Sequence, residues 1–150
     1  MISIGIDVDA TNAFAGLDLA KTHVRNSLFQ ALVMSTALAR KTVIDNIKFG
    51  MKSGLGWPAF APSTIRRKIK MGRSLVGLVD KGQMMDSIQE SVDKNSLEGI
   101  VYPGVDYLKF HEKGTRRLKE RPIMGPVKEQ ISSKIMDIFR SEIAKGLAST

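Results

Sequence analysis

Residues 107–127 read YLKFHEKGTRRLKERPIMGPV. A short segment, Tyr107–His111, opens the stretch with alternating side chains. At five residues its pattern fits either an extended strand or one helical turn. Gly114 marks a turn, and a basic loop follows through Thr115, Arg116, Arg117, Lys119 and Arg121. Pro122 opens an apolar passage, Ile123–Met124–Gly125–Pro126. From Val127 the apolar residues recur at steps of three and four: Ile131, Ile135, Ile138, Phe139, Ile143 and Leu147. That is an amphipathic helix from Gly125 or Pro126 to about Gly146, suited to covering whatever the earlier residues build.

Working upstream, Leu97–Val101 and Ile88–Val92 flank the turn signal Asp93–Lys94–Asn95–Ser96 and read as a hairpin. Pro103–Asp106 is a further turn. Gly82–Ser87 reads as a brief helix capped by Asp80, after a short strand at Leu78–Val79. Thr64–Met71 reads as a basic helix capped by Ser63, with Ile65 and Ile69 turned inward. Residues 50–63, GMKSGLGWPAFAPS, form a long loop shaped by glycine and proline. The single tryptophan, Trp57, and Phe60 lie inside it, where they serve either to pin the loop to the core or to anchor an interface.

Before that loop, about thirty residues from Leu19 to Phe49 hold no proline and no internal glycine. Val24, Leu28, Ala31, Leu32, Ala39, Val43 and Ile47 recur at helical spacing, which predicts a helix about 45 Å long. Asp18 is its candidate cap and Gly50 its terminator. Residues 2–8 alternate Ile2, Ile4, Ile6 and Val8 with Ser3, Gly5 and Asp7, the pattern of a half-buried strand. The expected fold class is α+β. A twisted antiparallel sheet packs against a long N-terminal helix, with a C-terminal amphipathic helix, in a single domain spanning 1–150.

The 150 residues carry a formal net charge of +8 and no cysteine. A disulfide framework, a thiolate metal site and a cysteine nucleophile are thereby excluded. No apolar run is long enough to span a bilayer, and the acidic N-terminus lacks the pattern of a signal peptide. Charge is unevenly spread. Residues 1–20 hold Asp7, Asp9 and Asp18 with no lysine or arginine, whereas 66–81 hold Arg66, Arg67, Lys68, Lys70, Arg73 and Lys81 against Asp80. An acidic start and a basic middle suit contacts between copies of the chain, and the basic part equally suits nucleic acid.

Signals for catalysis are weak. His111–Glu112 opens like HExxH, but the second histidine is missing. Gly72–Gly77 has the wrong spacing for a phosphate loop, and Asp80, Asp86 and Glu90 show no pairing that requires acid–base chemistry. No enzymatic activity, metal or cofactor is expected. The basic residues Arg66, Arg67, Lys68, Lys70 and Arg73 are the candidates for facing DNA, without a helix-turn-helix, zinc or RNA-binding signature.

Three blocks carry a family resemblance. Gly56–Ile65 with Arg67–Lys68 is similar to W-x-x-L-x-P-x-T-x-x-x-K. Leu78–Ile88 is similar to L-x-D-T-G-x-L-x-x-S-I. Tyr107–Thr115 with Arg121–Pro126 is similar to Y-A-x-x-H-E-x-G-T … R-P-F-L. In order and spacing across 56–126 the chain resembles the tail-completion and head–tail joining (neck) proteins of tailed bacteriophages, Mu-like and HK97-like. It departs from them at Phe60, Lys81 and Ile123–Met124, where leucine, threonine and phenylalanine–leucine are common. The resemblance implies a non-catalytic structural protein of virion morphogenesis, assembled in the host cytoplasm and located at the neck or the head-proximal tail end. It implies an oligomeric ring, commonly sixfold, around the DNA passage. The implied partners are the chain itself, head connector or adaptor proteins, tail proteins and, non-specifically, DNA; no membrane is implied. Trp57, Phe60, Lys113, Arg116, Arg117 and Arg121 are then candidate assembly contacts, and Asp80, Gly82, His111, Gly114 and Pro122 shape turns and loops. Arg121 with Pro122 is expected to position the final helix, through a bond from the guanidinium to a carboxylate or carbonyl. The alternative is a non-specific nucleic-acid-binding module using the 66–73 and 116–121 clusters.

Overall fold

The computed structural model describes residues 2–7 and 18–149, with side chains of the second segment from residue 21. The elements run β1 (Ile4–Asp7), α1 (Asp18–Phe49), α2 (Pro62–Lys70), α3 (Gln83–Asp86), β2 (Ile88–Asp93), β3 (Glu98–Pro103), α4 (Leu108–Lys113) and α5 (Val127–Ala148). The sheet is antiparallel in the order β1-β3-β2, so the central strand comes last in sequence. The expected α+β class, the long N-terminal helix against a sheet and the C-terminal amphipathic helix are all present. The candidate cap Asp18 and the break after Val8 lie outside the described side chains.

Helix α1 organises the molecule because it is buried on two sides. One side meets the sheet: Gly99 of β3 lies against the Thr36 side chain and Leu32, leaving no room for a Cβ. The other meets α5, where Gly146 presses on Ser27 and His23. This double contact explains why Ser35, Thr36 and Asn46 are buried although no apolar pattern marks them. Thr36 donates its hydroxyl to the Leu32 carbonyl (2.8 Å). Asn46 and Gln130 of α5 exchange reciprocal amide bonds at 2.8 and 2.9 Å, and Asn46 Nδ2 also donates to the Ile123 carbonyl. A buried amide with these partners avoids the cost of an unmet polar group and fixes the helices' register.

The core is one large cluster of Ala39, Val43, Ile47, Trp57, Ile88, Val101, Leu108, Ile123 and Val127 with their neighbours. A smaller one joins Val24, Leu28, Leu32 and Leu97. Leu97 has a left-handed φ of 53°, unfavourable for a side chain with a Cβ. Burial of its side chain in the smaller cluster offsets that cost. The hairpin turn is held by Asp93, whose carboxylate accepts the Asn95 and Ser96 N–H groups.

One open reading is settled and four local expectations change. Tyr107–His111 is helical, not extended: α4 buries Leu108 and ends at Gly114, φ 70°. Ser63 does not cap α2, because the helix begins one residue earlier with Pro62 at its first position and Ala61 before it. Ile69 does not point inward. It is 62 % exposed, and Lys68 takes the inward place at 6 %. Leu78–Val79 forms no strand, since the Leu78 N–H bonds instead to the Ile47 carbonyl at the end of α1. Asp80 likewise does not cap α3, whose start is set by Gly82 at φ 85°.

Candidate functional site

The first and third sequence blocks bond to one another, and the second lines a groove beside them. Trp57 Nε1 donates to the Pro122 carbonyl at 2.9 Å. Arg121 donates Nε and Nη2 to the Pro58 carbonyl and Nη2 to that of Ala59, at 2.9–3.1 Å. Its own backbone N–H bonds to the His111 carbonyl at 2.7 Å. The expected bond from Arg121 to a carbonyl is therefore present, but it ties two loops together. The final helix is positioned by Glu112 instead. One carboxylate oxygen accepts from the Ile123 and Met124 N–H groups and the other from Gly125, at 2.7–2.9 Å. A carboxylate just before α5 also complements the positive end of that helix.

Beside this knot lies a groove of about 900 Å³ between the 59–68 segment, the 78–85 segment and the 107–121 segment. Leu78, Val79, Met84 and Leu118 contribute apolar lining; Arg67, Lys81, Arg117 and Lys119 contribute charge. All four of these cations are exposed. Phe60 sits between two further cations, with Lys68 Nζ 4.9 Å and the Arg121 guanidinium 4.8 Å from its ring centre. Both attractions favour holding the ring at the groove wall.

The predicted site residues divide into two sets. Trp57 is 9 % exposed and belongs to the core, so it pins the loop and offers little surface to a partner. Arg121, 5 % exposed, is consumed by its carbonyl bonds. Lys68 points its ammonium at the Ser74 and Gly77 carbonyls, and burial pushes its pKa below the ordinary lysine value against the pull of Asp80. Lys68 is thus a loop-holding cation and is poorly placed to meet DNA. Arg73, half-buried, lies 3.5 Å from Asp80. Arg66, Arg67, Lys70, Lys113, Arg116 and Arg117 remain exposed. Of these, Arg67 and Arg117 share the groove, and Lys113 lies at a second, smaller hollow with Ile2 and Phe110. Gly82 and Gly114 both adopt positive φ at their turns.

Sequence reasoning missed Glu112 as the clamp of α5. The available signal was a glutamate eleven residues before Ile123, too distant for any local capping pattern.

His111 lines the groove, with Nδ1 buried and unbonded among the described residues. Burial, reinforced by the nearby Arg121 charge, holds its pKa below the ordinary 6.5. The folded chain thus resists a proton that the unfolded chain accepts. Its contribution to stability is full above about pH 6.5 and declines as pH falls toward the folded pKa. Denaturant midpoints taken from about pH 7 down to about pH 5 should fall in the wild type and fall less in His111→Gln. Equal slopes in the two proteins would refute the assignment.

Among the described residues no group of three or more histidine, aspartate or glutamate side chains is arranged to hold a metal ion, and no helix is long and apolar enough to cross a membrane. No protein-family model matches the chain, and no curated protein or solved structure matches it either.

Proposed function

We propose that the chain is a structural subunit of a tailed-phage virion, one that completes the tail or the head–tail junction as part of a ring around the DNA passage. The observation that carries this reading is the bonding of the first and third blocks that resemble the joining family, with the second block lining the groove beside them. Trp57, Glu112, Arg121 and Pro122 spend their polar groups on one another's segments. Side chains that look like a motif because they hold an architecture fit a protein whose work is shape. The groove and its exposed cations then provide a surface for assembly, since cyclic rings above a dimer need two different complementary faces per subunit.

The test is the light-scattering mass of the purified protein over a range of concentrations, with electron microscopy of any large species. A discrete ring is expected, either alone or on addition of head-connector or tail-tube proteins. A protein that forms no ring in either condition overturns the proposal. Duplex DNA at several salt concentrations is the control: a nucleic-acid-binding module shows affinity that falls steeply with salt, and no ring.

A further inference from the structure

We infer that the groove is the docking site for a second copy of this chain, which enters by the end of its sheet carrying Asp7 and Glu98. The inference rests on the joining reading and names the contact between neighbours.

The groove combines an apolar lining with the exposed cations Arg67, Lys81, Arg117 and Lys119. A phosphate chain satisfies the cations and leaves the apolar part wet. A protein surface bearing carboxylates covers both. The chain itself presents such a surface. In the sheet register Asp7 lies opposite Glu98, and Glu98 lies opposite Asp93, so the three carboxylates form one row across all three strands. All three are exposed, and none has an ion-pair partner among the described residues. Like charges placed directly opposite one another are unfavourable in a sheet. A cationic partner removes that penalty.

The two surfaces lie at opposite ends of the molecule. Arg25, early in α1, donates to the Lys94 and Asn95 carbonyls at the hairpin tip beside the acidic row. Ile47, late in α1, accepts from Leu78 at the groove. Twenty-two residues of helix separate these points by about 33 Å. The acidic row therefore cannot reach the groove of its own chain. Between copies the contact is head-to-tail, the heterologous geometry that closes a ring or extends a filament.

Charge reversal at exposed positions tests the pairing. Asp93 is left untouched because it holds the hairpin turn. One variant carries Arg117→Glu and Lys119→Glu in the groove; the other carries Asp7→Lys and Glu98→Lys on the acidic row. Circular dichroism checks that both fold. In sedimentation velocity at low salt the wild type is expected to self-associate, and each variant alone to associate about 10- to 100-fold more weakly. Mixed in equal amounts, the variants keep one intact groove for one intact acidic end and face a charge-swapped groove with a charge-swapped row, so they should form mixed complexes, at least a one-to-one heterodimer, more tightly than either variant associates alone. Zero-length carbodiimide coupling should join Lys81 or Lys119 of wild-type copies to Asp7 or Glu98 of others. Variants that associate like the wild type, or a mixture without heterodimer, overturn the inference. So does a wild type that stays monomeric and uncoupled up to its solubility limit. Loss of DNA binding in the groove variant with unchanged self-association also overturns it, in favour of a nucleic-acid groove. In each of these cases rings formed on connector or tail-tube proteins still support the joining reading, whereas failure to form rings there defeats that reading separately.

Discussion

Trp57→Ala should lower the free energy of unfolding by about 4 kcal/mol, in the range for removing a buried tryptophan. The side chain is lost from the larger core cluster, and the Pro122 carbonyl loses its indole donor. The indole also lies where a Cβ on residue 50 would have to be. This gives the prediction an internal control. Gly50→Ala alone should be destabilising, because the ring is wedged between the end of α1 and Pro122. In the Trp57→Ala background the ring is gone, while the Asn46 carbonyl still crowds the new methyl group. The second substitution should therefore cost clearly less there than in the wild type, a coupling expected for residues in contact. Urea unfolding of the four proteins measures the cycle. Strictly additive effects would show that the ring does not occupy that space. Because Trp57 is a core residue, any assembly defect of the variant must be judged at a temperature where it remains folded.

The second large effect is expected at Glu112. Glu112→Ala should cost about 3 kcal/mol, since hydrogen bonds to a charged group are worth roughly 1.5–3 kcal/mol and three N–H groups lose their acceptor. Glu112→Gln is the more discriminating change. It keeps the shape but turns an NH2 group toward at least one backbone N–H, so it should still lose about 2 kcal/mol. Amide hydrogen exchange at Ile123, Met124 and Gly125 should accelerate in both variants. Unchanged exchange at these amides would refute the clamp, whatever the global stability.

How much of this was legible beforehand follows from how far each interaction reaches. The helices α1 and α5, the β2–β3 hairpin and the first strand were all visible, because periodicities of 3.6 and 2 are local signals. Tyr107–His111 was ambiguous for the same reason: five residues do not separate the two periods, and the burial of Leu108 against distant core residues decides for the helix. Lys68 takes the inward place expected of Ile69 because two backbone carbonyls, those of Ser74 and Gly77, face α2 there. An ammonium satisfies carbonyls and an isoleucine does not. Asn46, Thr36 and Ser35 went unnoticed in the core because their burial arises from two partners on opposite sides of α1, and one helix wheel shows one face at a time. At the site, the residue types were read well and their duties less so. Trp57 does hold its loop, as one of its two readings allowed, and Arg121 makes the expected carbonyl bond but ties two loops where it was expected to position α5; Glu112 could be found only once its three donors were brought to it from the other side of the basic loop.

The burial of α1 between sheet and C-terminal helix has a consequence for how the molecule comes into being. Its first strand waits for residues 98–101 before it has a hydrogen-bonding partner. The opposite side of α1 waits longer still, for a helix that starts at Val127. Closing such distant segments late is entropically slow, and the apolar surface of α1 stays open until those segments have been made. A nascent chain therefore covers both sides of α1 only after residues 127–148 have been made. Fragments that stop before Val127 keep one apolar side of α1 uncovered and so carry a surface prone to aggregation.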